Sequence, residues 1–276
     1  MGLTRRRWIF SLRWASYPWP KLDAPAIRRL AGETFGLVFP DGCRICEEQL
    51  REVSRVPVCA RCLDSVEPFS ADCMCVRCRT PFLNGRPLDS EGVCALCREG
   101  LTGYDAAYSF GSYDGNLRLL IHVFKYQGVS TLAAPLGKLL ARALPLDKRF
   151  DAVVPMPMHW WRRWRRGFNQ AEPLAAIVAS RIGVPAIAPV PRLWGRRQSG
   201  LTLAARRRGA ASTFGAAPKG SLEGKRLLLV DDVLTTGATA AACARALKRA
   251  GASHVSVLAL ARADRRIAAA ARTGAS

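Results

Sequence analysis

The residues best suited to chemistry lie in the run Arg226–Thr239, which reads Arg-Leu-Leu-Leu-Val-Asp-Asp-Val-Leu-Thr-Thr-Gly-Ala-Thr. Its adjacent carboxylates, Asp231 and Asp232, can accept hydrogen bonds from a pair of vicinal hydroxyl groups. The small turn Thr235–Thr239, called the threonine turn below, opens into an alanine-rich helix, Ala240–Arg249. Backbone N–H groups and threonine hydroxyls at a helix N-terminus bind phosphate. The run therefore predicts a site for a ribose 5-phosphate.

The acids and the turn need a strand to hold them. The four apolar residues Leu227–Val230 are too few for a helix and predict a strand that is buried on both faces. The other predicted elements are a helix with Leu117, Leu120, Ile121 and Phe124 on one face, a strand over Asp151–Met158, a helix from near Asn169 with Leu174, Ile177, Val178 and Ile182 on one face, and a last strand over His254–Ala261. Strands that alternate with helices predict an α/β fold with a parallel sheet, and ligands at the carboxyl ends of its strands.

The run also resembles the 5-phosphoribosyl-1-pyrophosphate (PRPP) motif of the type I phosphoribosyltransferases. The resemblance implies that Asp231 and Asp232 hold the ribose hydroxyls and that Mg²⁺ accompanies PRPP. It assigns the 5′-phosphate to Thr235, Thr236, Gly237, Ala238 and Thr239. The alternative is an ordinary strand, turn and helix with a threonine and glycine cap, which requires strand, acids and turn to match by accident.

Eight of the ten cysteines form four C-x-x-C pairs, separated by 12, 12 and 15 residues. The pairs are Cys43/Cys46, Cys59/Cys62, Cys75/Cys78 and Cys94/Cys97. Two such turns together supply four thiolates for one tetrahedral Zn²⁺, so we expect one or two structural zinc ions, with sequential pairing of the turns. Disulfides are the alternative, but nothing in the sequence marks secretion. Cys73 could substitute as a ligand, whereas Cys243 is expected in the core.

The mixed segment Trp160–Gly167 is predicted to be a loop between a core strand and its helix. Type I phosphoribosyltransferases bind pyrophosphate in such a loop, which assigns this role to Arg166 and Gly167, with Lys125 as a second contact. A solvated basic loop and a surface lysine are the alternatives. Trp160, Trp161 and Trp164 alternate with arginines, a mixture typical of single-stranded DNA binding. Their alternative is burial against the sheet or the cysteine module. Arg192–Arg208 is expected to be a flexible loop over the site.

We expect four regions in the chain: a basic, poorly ordered N-terminal extension (1–32), a double zinc-ribbon module (33–100), a domain (101–262) that the PRPP-motif resemblance implies is phosphoribosyltransferase-like, and a flexible tail (263–276). The net charge of +21 predicts attraction to polyanions. Because 35 of the 42 basic residues are arginine, coding bias is an alternative source of that charge. No apolar run approaches the roughly 18 residues of a membrane helix, and we expect a cytoplasmic protein.

Five motifs together resemble the ComF family. They are Phe124-Lys-Tyr-x-Gly128, Val154-Pro-Met-Pro157, Arg166-Gly-Phe-Asn-Gln-Ala171, Gln198-x-x-Leu201 with Arg206, and Val230-Asp-Asp-Val-x-Thr-Thr-Gly-Ala-Thr239. The resemblance implies a phosphoribosyltransferase-like protein with an N-terminal zinc module, associated with competence and the use of external DNA. The family usually has asparagine where this chain has Gly209.

Two functions are open at this point. One is transfer of the phosphoribosyl group to an unidentified acceptor, with no residue assigned as catalytic. The other is a non-catalytic PRPP- or nucleotide-binding module in a protein that handles single-stranded DNA, whose zinc module could also contact a protein partner.

Overall fold

The computed structural model describes residues 42–50, 55–68, 73–82, 86, 88–99, 103–144, 147–192, 214–215, 218 and 220–263. The predicted N-terminal extension, the loop 192–208 beyond Arg192, Gly209 and the tail beyond Ala263 lie outside these residues.

The cysteine-rich part of the chain forms two small modules of the same design, each a C-x-x-C turn followed by a short helix. Their elements are, in chain order, α1 (Ala60–Asp64), the antiparallel strands β1 (Cys73–Met74) and β2 (Pro81–Phe82), and α2 (Ala95–Arg98). The residue after each turn has a positive φ, 62° at Glu47 and 53° at Arg79. Its N–H donates to the carbonyl of the first cysteine of the turn in both modules. The repeat in the sequence is therefore a repeat in the structure.

The remaining described residues form an α/β unit around a four-stranded sheet. Its elements are β3 (Ala106–Ser112), α3 (Gly115–Tyr126), a 3-10 turn (Ser130–Leu132), α4 (Ala133–Arg142), β4 (Ala152–Pro155), α5 (Trp160–Arg166), α6 (Ala171–Ile182), β5 (Arg226–Leu234), α7 (Ala238–Arg249) and β6 (His254–Arg262). The strand order is β3-β6-β5-β4, and all three pairings are parallel. The predicted parallel sheet flanked by helices is confirmed.

The sheet is covered on both faces, and the two cysteine modules lie on opposite sides of it. Leu227 and Leu229 of β5 pack with α7 and the second module, whereas Leu228 and Val230 pack with α3, α4, α6 and the first module. The second module also covers the edge of the sheet, since the carbonyl of Arg77 accepts a hydrogen bond of 2.8 Å from the N–H of Ala107 in β3. The modules therefore share their cores with the sheet.

Several predicted boundaries are wrong for identifiable reasons. β5 continues to Leu234 because its pairing with β6 continues, so the acid pair lies within the strand. β4 is shorter than predicted and ends at Pro155. The predicted loop 160–167 is the helix α5, in which His159 Nδ1 accepts from the N–H of Trp161 and Gly167 ends the helix with φ 80°.

The sequence analysis did not predict the strand β3 or the helix α4 of the α/β unit. The strand β3 is short, and besides its two aromatic residues it consists of alanine, serine and glycine. In α4, Pro135 and Gly137 lower the intrinsic helix propensity. Gly137 is needed there because a Cβ at this position would lie 2.7 Å from the side chain of Ile177 in α6.

Candidate functional site

A cleft of about 340 Å³ opens at the carboxyl ends of β4 and β5. It is lined by Tyr113, Lys125, Tyr126, Met156, Pro157, Met158, Arg162, Arg166, Asn169, Ala171, Arg192, Asp231, Asp232, Val233, Leu234, Thr235, Gly237, Thr239 and Ala240. Parallel sheets bind ligands at this end of their strands. Among the described residues of the lining, four side chains are basic and two are acidic, so the cleft favours anions.

The two carboxylates of the cleft differ in their surroundings. Burial raises the pKa of Asp231 to about 7, and the charge of Asp232 adds to the rise. A hydrogen bond of 2.9 Å from the N–H of Asp232 to Asp231 Oδ1 and the charges of Lys125 and Arg192 offset part of it. Asp232 instead forms an ion pair with Lys125. The pKa of Asp231 is therefore raised to near neutral pH, chiefly by burial.

Lys125 lies against the acid pair at the end of α3. Its Nζ is 2.6 Å from Asp232 Oδ1, and each of these side chains is only 13% exposed. The alternative of an ordinary surface lysine is therefore wrong. The predicted pyrophosphate contact of Lys125 stays a prediction. Lys125 does line the cleft.

The threonine turn brings part of its predicted set into the cleft. Thr235, Gly237 and Thr239 line it, whereas Thr236 and Ala238 do not. Gly237 precedes the first residue of α7 and has φ 72°, a conformation that favours glycine. A Cβ at position 237 would lie 2.8 Å from the hydroxyl oxygen of the buried Tyr104.

The motifs around Arg166 and Tyr126 are far apart in sequence and meet at the cleft. Arg166 donates to Gln170 Oε1 and to the Tyr126 hydroxyl, each at 3.3 Å, and its guanidinium lies 4.9 Å from the centroid of the Tyr126 ring. Below them Phe168 packs edge-on against Phe124 at 5.6 Å. These contacts hold Arg166 toward the cleft. Gly167 ends α5 and is not part of the lining.

Other lining residues were missed as ligand-binding candidates. Arg192 was predicted only as the first residue of a loop over the site, and it donates a hydrogen bond to the carbonyl of Pro157. Tyr113 stands in no motif. Asn169 lies within the motif Arg166-Gly-Phe-Asn-Gln-Ala171, so the motif could have pointed to it as a cleft residue. It donates to the carbonyl of Met156 and accepts from the N–H of Ala171, which joins the end of β4 to the start of α6.

The eight paired cysteines form two clusters with the predicted sequential pairing. The first cysteine cluster is Cys43, Cys46, Cys59 and Cys62, and the second cysteine cluster is Cys75, Cys78, Cys94 and Cys97. Within each cluster all Sγ atoms lie within 4.8 Å of one another. One pair in the first cluster and two pairs in the second lie at 3.7 to 3.8 Å. Four sulfur atoms at about 2.3 Å from a tetrahedral Zn²⁺ would be about 3.8 Å apart. Both clusters therefore fit a metal ion.

Backbone N–H groups donate hydrogen bonds to sulfur atoms in both clusters. The N–H of Cys59 donates to Cys43 Sγ and the N–H of Cys94 donates to Cys75 Sγ, each at 3.4 Å. The pKa of Cys78 is lowered to about 4, first by a hydrogen bond from Cys97 and further by Thr80 and the charge of Arg262, against the raising effect of burial. Cys73 belongs to neither cluster, and Cys243 is buried on α7, as predicted.

The tryptophans of α5 are exposed, so the alternative of burial is wrong. Trp160, Trp161 and Trp164 have exposed fractions of 46%, 51% and 72%. The rings of Trp161 and Trp164 stack at 5.0 Å with an interplanar angle of 24°. Trp164 follows Arg162 by two residues and therefore points about 160° away from it around the helix. The helix has an arginine face toward the cleft and an opposite tryptophan face.

A parallel sheet with an acid pair and a glycine-containing turn at the end of one strand defines a phosphoribosyltransferase-type domain, and residues 169–272 match the family model of the phosphoribosyl transferase domain. Competence protein F of Haemophilus influenzae is 31% identical over 179 residues, which cover 62% of this chain and 78% of that protein. DNA utilization protein YhgH of Salmonella typhi is 30% identical over 234 residues, covering 82% of this chain and 99% of its own. The chain therefore belongs to the ComF family of phosphoribosyltransferase-like proteins.

Competence protein ComFC of Bacillus subtilis is 27% identical over 241 residues, with coverage of 80% and 95%. The solved glutamine PRPP amidotransferase of B. subtilis matches 47% of this chain and 26% of its own, at 26% identity and a TM-score of 0.35. Within the described residues, no helix has the length and apolar character needed to cross a membrane.

Proposed function

We propose that the cleft binds PRPP or a related ribose phosphate together with Mg²⁺. The observation that carries the proposal is the convergence of the acid pair, the threonine turn and the basic side chains of Lys125 and Arg166 in one cleft. Asp231 and Asp232 would accept hydrogen bonds from the ribose hydroxyls, and the turn at the start of α7 would hold the 5′-phosphate.

The pyrophosphate group would lie toward Arg166 and Lys125. Arg166 is held by Gln170 and Tyr126, so little side-chain freedom would be lost when it binds a phosphate oxygen. Gly167 ends the same helix and has no side chain there, although it does not line the cleft. A carboxylate has several acceptor sites, so Asp232 can keep Lys125 beside it and still accept a sugar hydroxyl.

Magnesium prefers oxygen ligands, and among the described residues of the lining Asp231 and Asp232 are the only acids. These carboxylates and the oxygens of PRPP itself would hold the ion, which neutralises pyrophosphate charge when bound. In a transfer reaction an acceptor nucleophile would attack C1 of the ribose while pyrophosphate leaves. The chain's own part is to position the sugar and to stabilise the leaving group through Arg166 and Lys125.

Calorimetric titration with Mg²⁺-PRPP tests this proposal. We expect the wild type to bind, and the Asp231→Asn/Asp232→Asn double variant to bind much more weakly. Hydrogen bonds to charged groups contribute about 1.5–3 kcal/mol, which corresponds to roughly tenfold or more for each residue. The matched control is Asp147→Asn, which changes an exposed acid outside the cleft. Equal affinities of the wild type and the double variant would remove the assignment of the acid pair.

We also propose that each cysteine cluster binds one Zn²⁺, which is supported by the sulfur spacing. The ten cysteines are free thiols, and thiols that bind zinc persist in a reducing compartment, which supports a cytoplasmic location.

Single-stranded DNA is the second candidate ligand, and we propose the tryptophan face of α5 as its site. The exposure of three tryptophans and the stacking of two of them favour it, because bases stack on such side chains regardless of sequence. The names of the relatives concern competence and DNA utilization, and the positive charge of the chain would draw a polyanion.

A further inference from the structure

Arg262, the last residue of β6, joins the sheet to the second cysteine cluster. Its side chain is buried, with an exposed fraction of 6%. The guanidinium donates at 2.9 Å to the carbonyl of Cys78 and at 2.6 Å to Thr80 Oγ1. Thr80 Oγ1 in turn lies 2.9 Å from Cys78 Sγ, within hydrogen-bond distance. A core strand therefore supplies the charged group that orients one of the four cluster cysteines.

The same arginine lies next to the threonine turn. In the sheet Arg262 pairs with Leu234, the residue directly before that turn, and the N–H of Ala263 donates to the carbonyl of Leu234 at 3.1 Å. The guanidinium also acts on Tyr104: burial raises the pKa of Tyr104 to about 12, and Arg262 offsets part of the rise.

Tyr104 completes the connection to the turn. Its hydroxyl lies so near the Cα of Gly237 that a Cβ there would be 2.8 Å from the oxygen. A displacement of Tyr104 would therefore act directly on Gly237, the residue before α7, and a displacement of Arg262 would act through Tyr104. The first cysteine cluster packs with the opposite face of the sheet, away from α7.

We propose that Arg262 and Tyr104 couple the second cysteine cluster to the threonine turn, so that a metal ion in this cluster and a ribose phosphate on the turn each strengthen the binding of the other. The inference rests on the proposed function for its ligand. A metal ion fixes Cys78, and with it Thr80 and Arg262, because the groups that hydrogen-bond to a metal ligand are held in place together with that ligand. Loss of the ion leaves the four cysteine side chains without the ion that holds them together, so Cys78, Thr80 and Arg262 are freer to move, and with them the Tyr104 hydroxyl that packs on Gly237. Coupling between two sites is reciprocal, and a typical coupling changes affinity about 5- to 150-fold.

The first experiment measures zinc affinity of the full-length wild type by competition with a chelator, with and without saturating Mg²⁺-PRPP. We expect Mg²⁺-PRPP to raise the affinity of one of the two zinc sites at least about fivefold. The effect should persist in Cys46→Ser, which disables the first cysteine cluster. Because PRPP itself chelates metal, the Asp231→Asn/Asp232→Asn variant is the control in the same solution and should show no rise.

The second experiment breaks the connection. Arg262→Gln should lower the affinity for Mg²⁺-PRPP at least about fivefold and abolish the rise in zinc affinity, with partial rescue by Arg262→Lys. Tyr104→Phe, which keeps the ring and removes the hydroxyl, should reduce the rise. The matched control is Arg98→Gln, because Arg98 is an exposed arginine of the same module whose side chain contacts Asp89 and Val93 instead of Cys78 and Thr80.

The outcomes separate the coupling from the proposed function. A wild type that binds Mg²⁺-PRPP with unchanged zinc affinity overturns the coupling and leaves the proposed function standing. A wild type that does not bind Mg²⁺-PRPP overturns both. If Arg262→Gln fails to fold, the wild-type measurement and Tyr104→Phe still decide.

Discussion

Asp231 and Asp232 are adjacent in sequence, but above about pH 7 their charged forms are expected to change stability in opposite directions. The pKa of Asp231 is raised to about 7 by burial, whereas Asp232 is paired with Lys125 at 2.6 Å. A carboxyl group with a raised folded-state pKa adds stability that is fully present below its unfolded-state pKa, near 3.8, and is lost as the pH rises to about 7. The loss is at most about 1.4 kcal/mol per pH unit for one proton.

The first prediction follows from this difference. Asp231→Asn should unfold at a higher temperature than the wild type at pH 8, because the buried charge is gone, and the advantage should vanish near pH 4. Asp232→Asn should unfold at a lower temperature than the wild type at pH 8, because it leaves the cation of Lys125 without its partner in a mostly buried position. Thermal unfolding of both variants between pH 4 and pH 8 measures this. Parallel, pH-independent shifts would show that the two carboxyl groups share one environment.

The residues of the site differ in how far the sequence predicts them. The acid pair and the threonine turn are contiguous, so a single local pattern carries them. The ion pair of Lys125 with Asp232 joins two segments more than 100 residues apart, and no local pattern predicts that contact. Tyr113 reaches the cleft directly after β3, and Arg192 donates to the carbonyl of Pro157, so each depends on contacts between separate segments.

At the scale of the element, α5 carries two surfaces that a loop could not keep apart. The signals for this helix were in the sequence, with His159 as its cap and Gly167 as its end. These two signals were not recognised as helix ends, because the mixture of tryptophan and arginine between them has the hydrophobic period of neither a buried helix nor a strand. The elements β3 and α4 were missed for the opposite reason, since tertiary packing overrides their weak local preference.

The second prediction concerns the two faces of α5. Trp161→Ala and Trp164→Ala should lower the affinity for single-stranded oligo-dT by about 1–3 kcal/mol per stacked base, with little change in salt dependence and none in Mg²⁺-PRPP binding. Arg165→Ala should instead flatten the dependence of affinity on salt. Fluorescence anisotropy at two salt concentrations distinguishes these effects. Wild-type binding by all three variants would place the DNA-binding surface elsewhere.

The third prediction concerns the cysteine modules as elements. Elemental analysis of protein purified without chelator should find about two zinc ions per chain, and Cys62→Ser should retain about one while still binding Mg²⁺-PRPP. Cys73→Ser is the matched control and should retain two, since Cys73 belongs to neither cluster. Fewer than one zinc ion per wild-type chain would refute the double-ribbon assignment.

At the scale of the whole molecule, the cysteine modules are part of the cores on both faces of the sheet. Cysteines of the second module share one buried cluster with Leu227 of β5 and Leu247 of α7, and Cys43 and Cys62 share the other with α3. The free energy of binding a structural metal contributes to the free energy of folding. Because the cores are shared, metal binding should stabilise the sheet as well as the modules.

The fourth prediction is that chelation destabilises the sheet together with the modules. Removal of zinc should lower the midpoint of the main unfolding transition, by roughly 2–4 °C for each kcal/mol lost in a domain of this size. The physical reason is that loosening the second module exposes the edge of β3 at Ala107 and the apolar surface beneath it. Calorimetry with and without chelator, at a pH where the apo-protein stays soluble, measures the change. An early separate transition of the modules, with the main midpoint unchanged, would show instead that the modules fold as independent ribbons tethered to the domain.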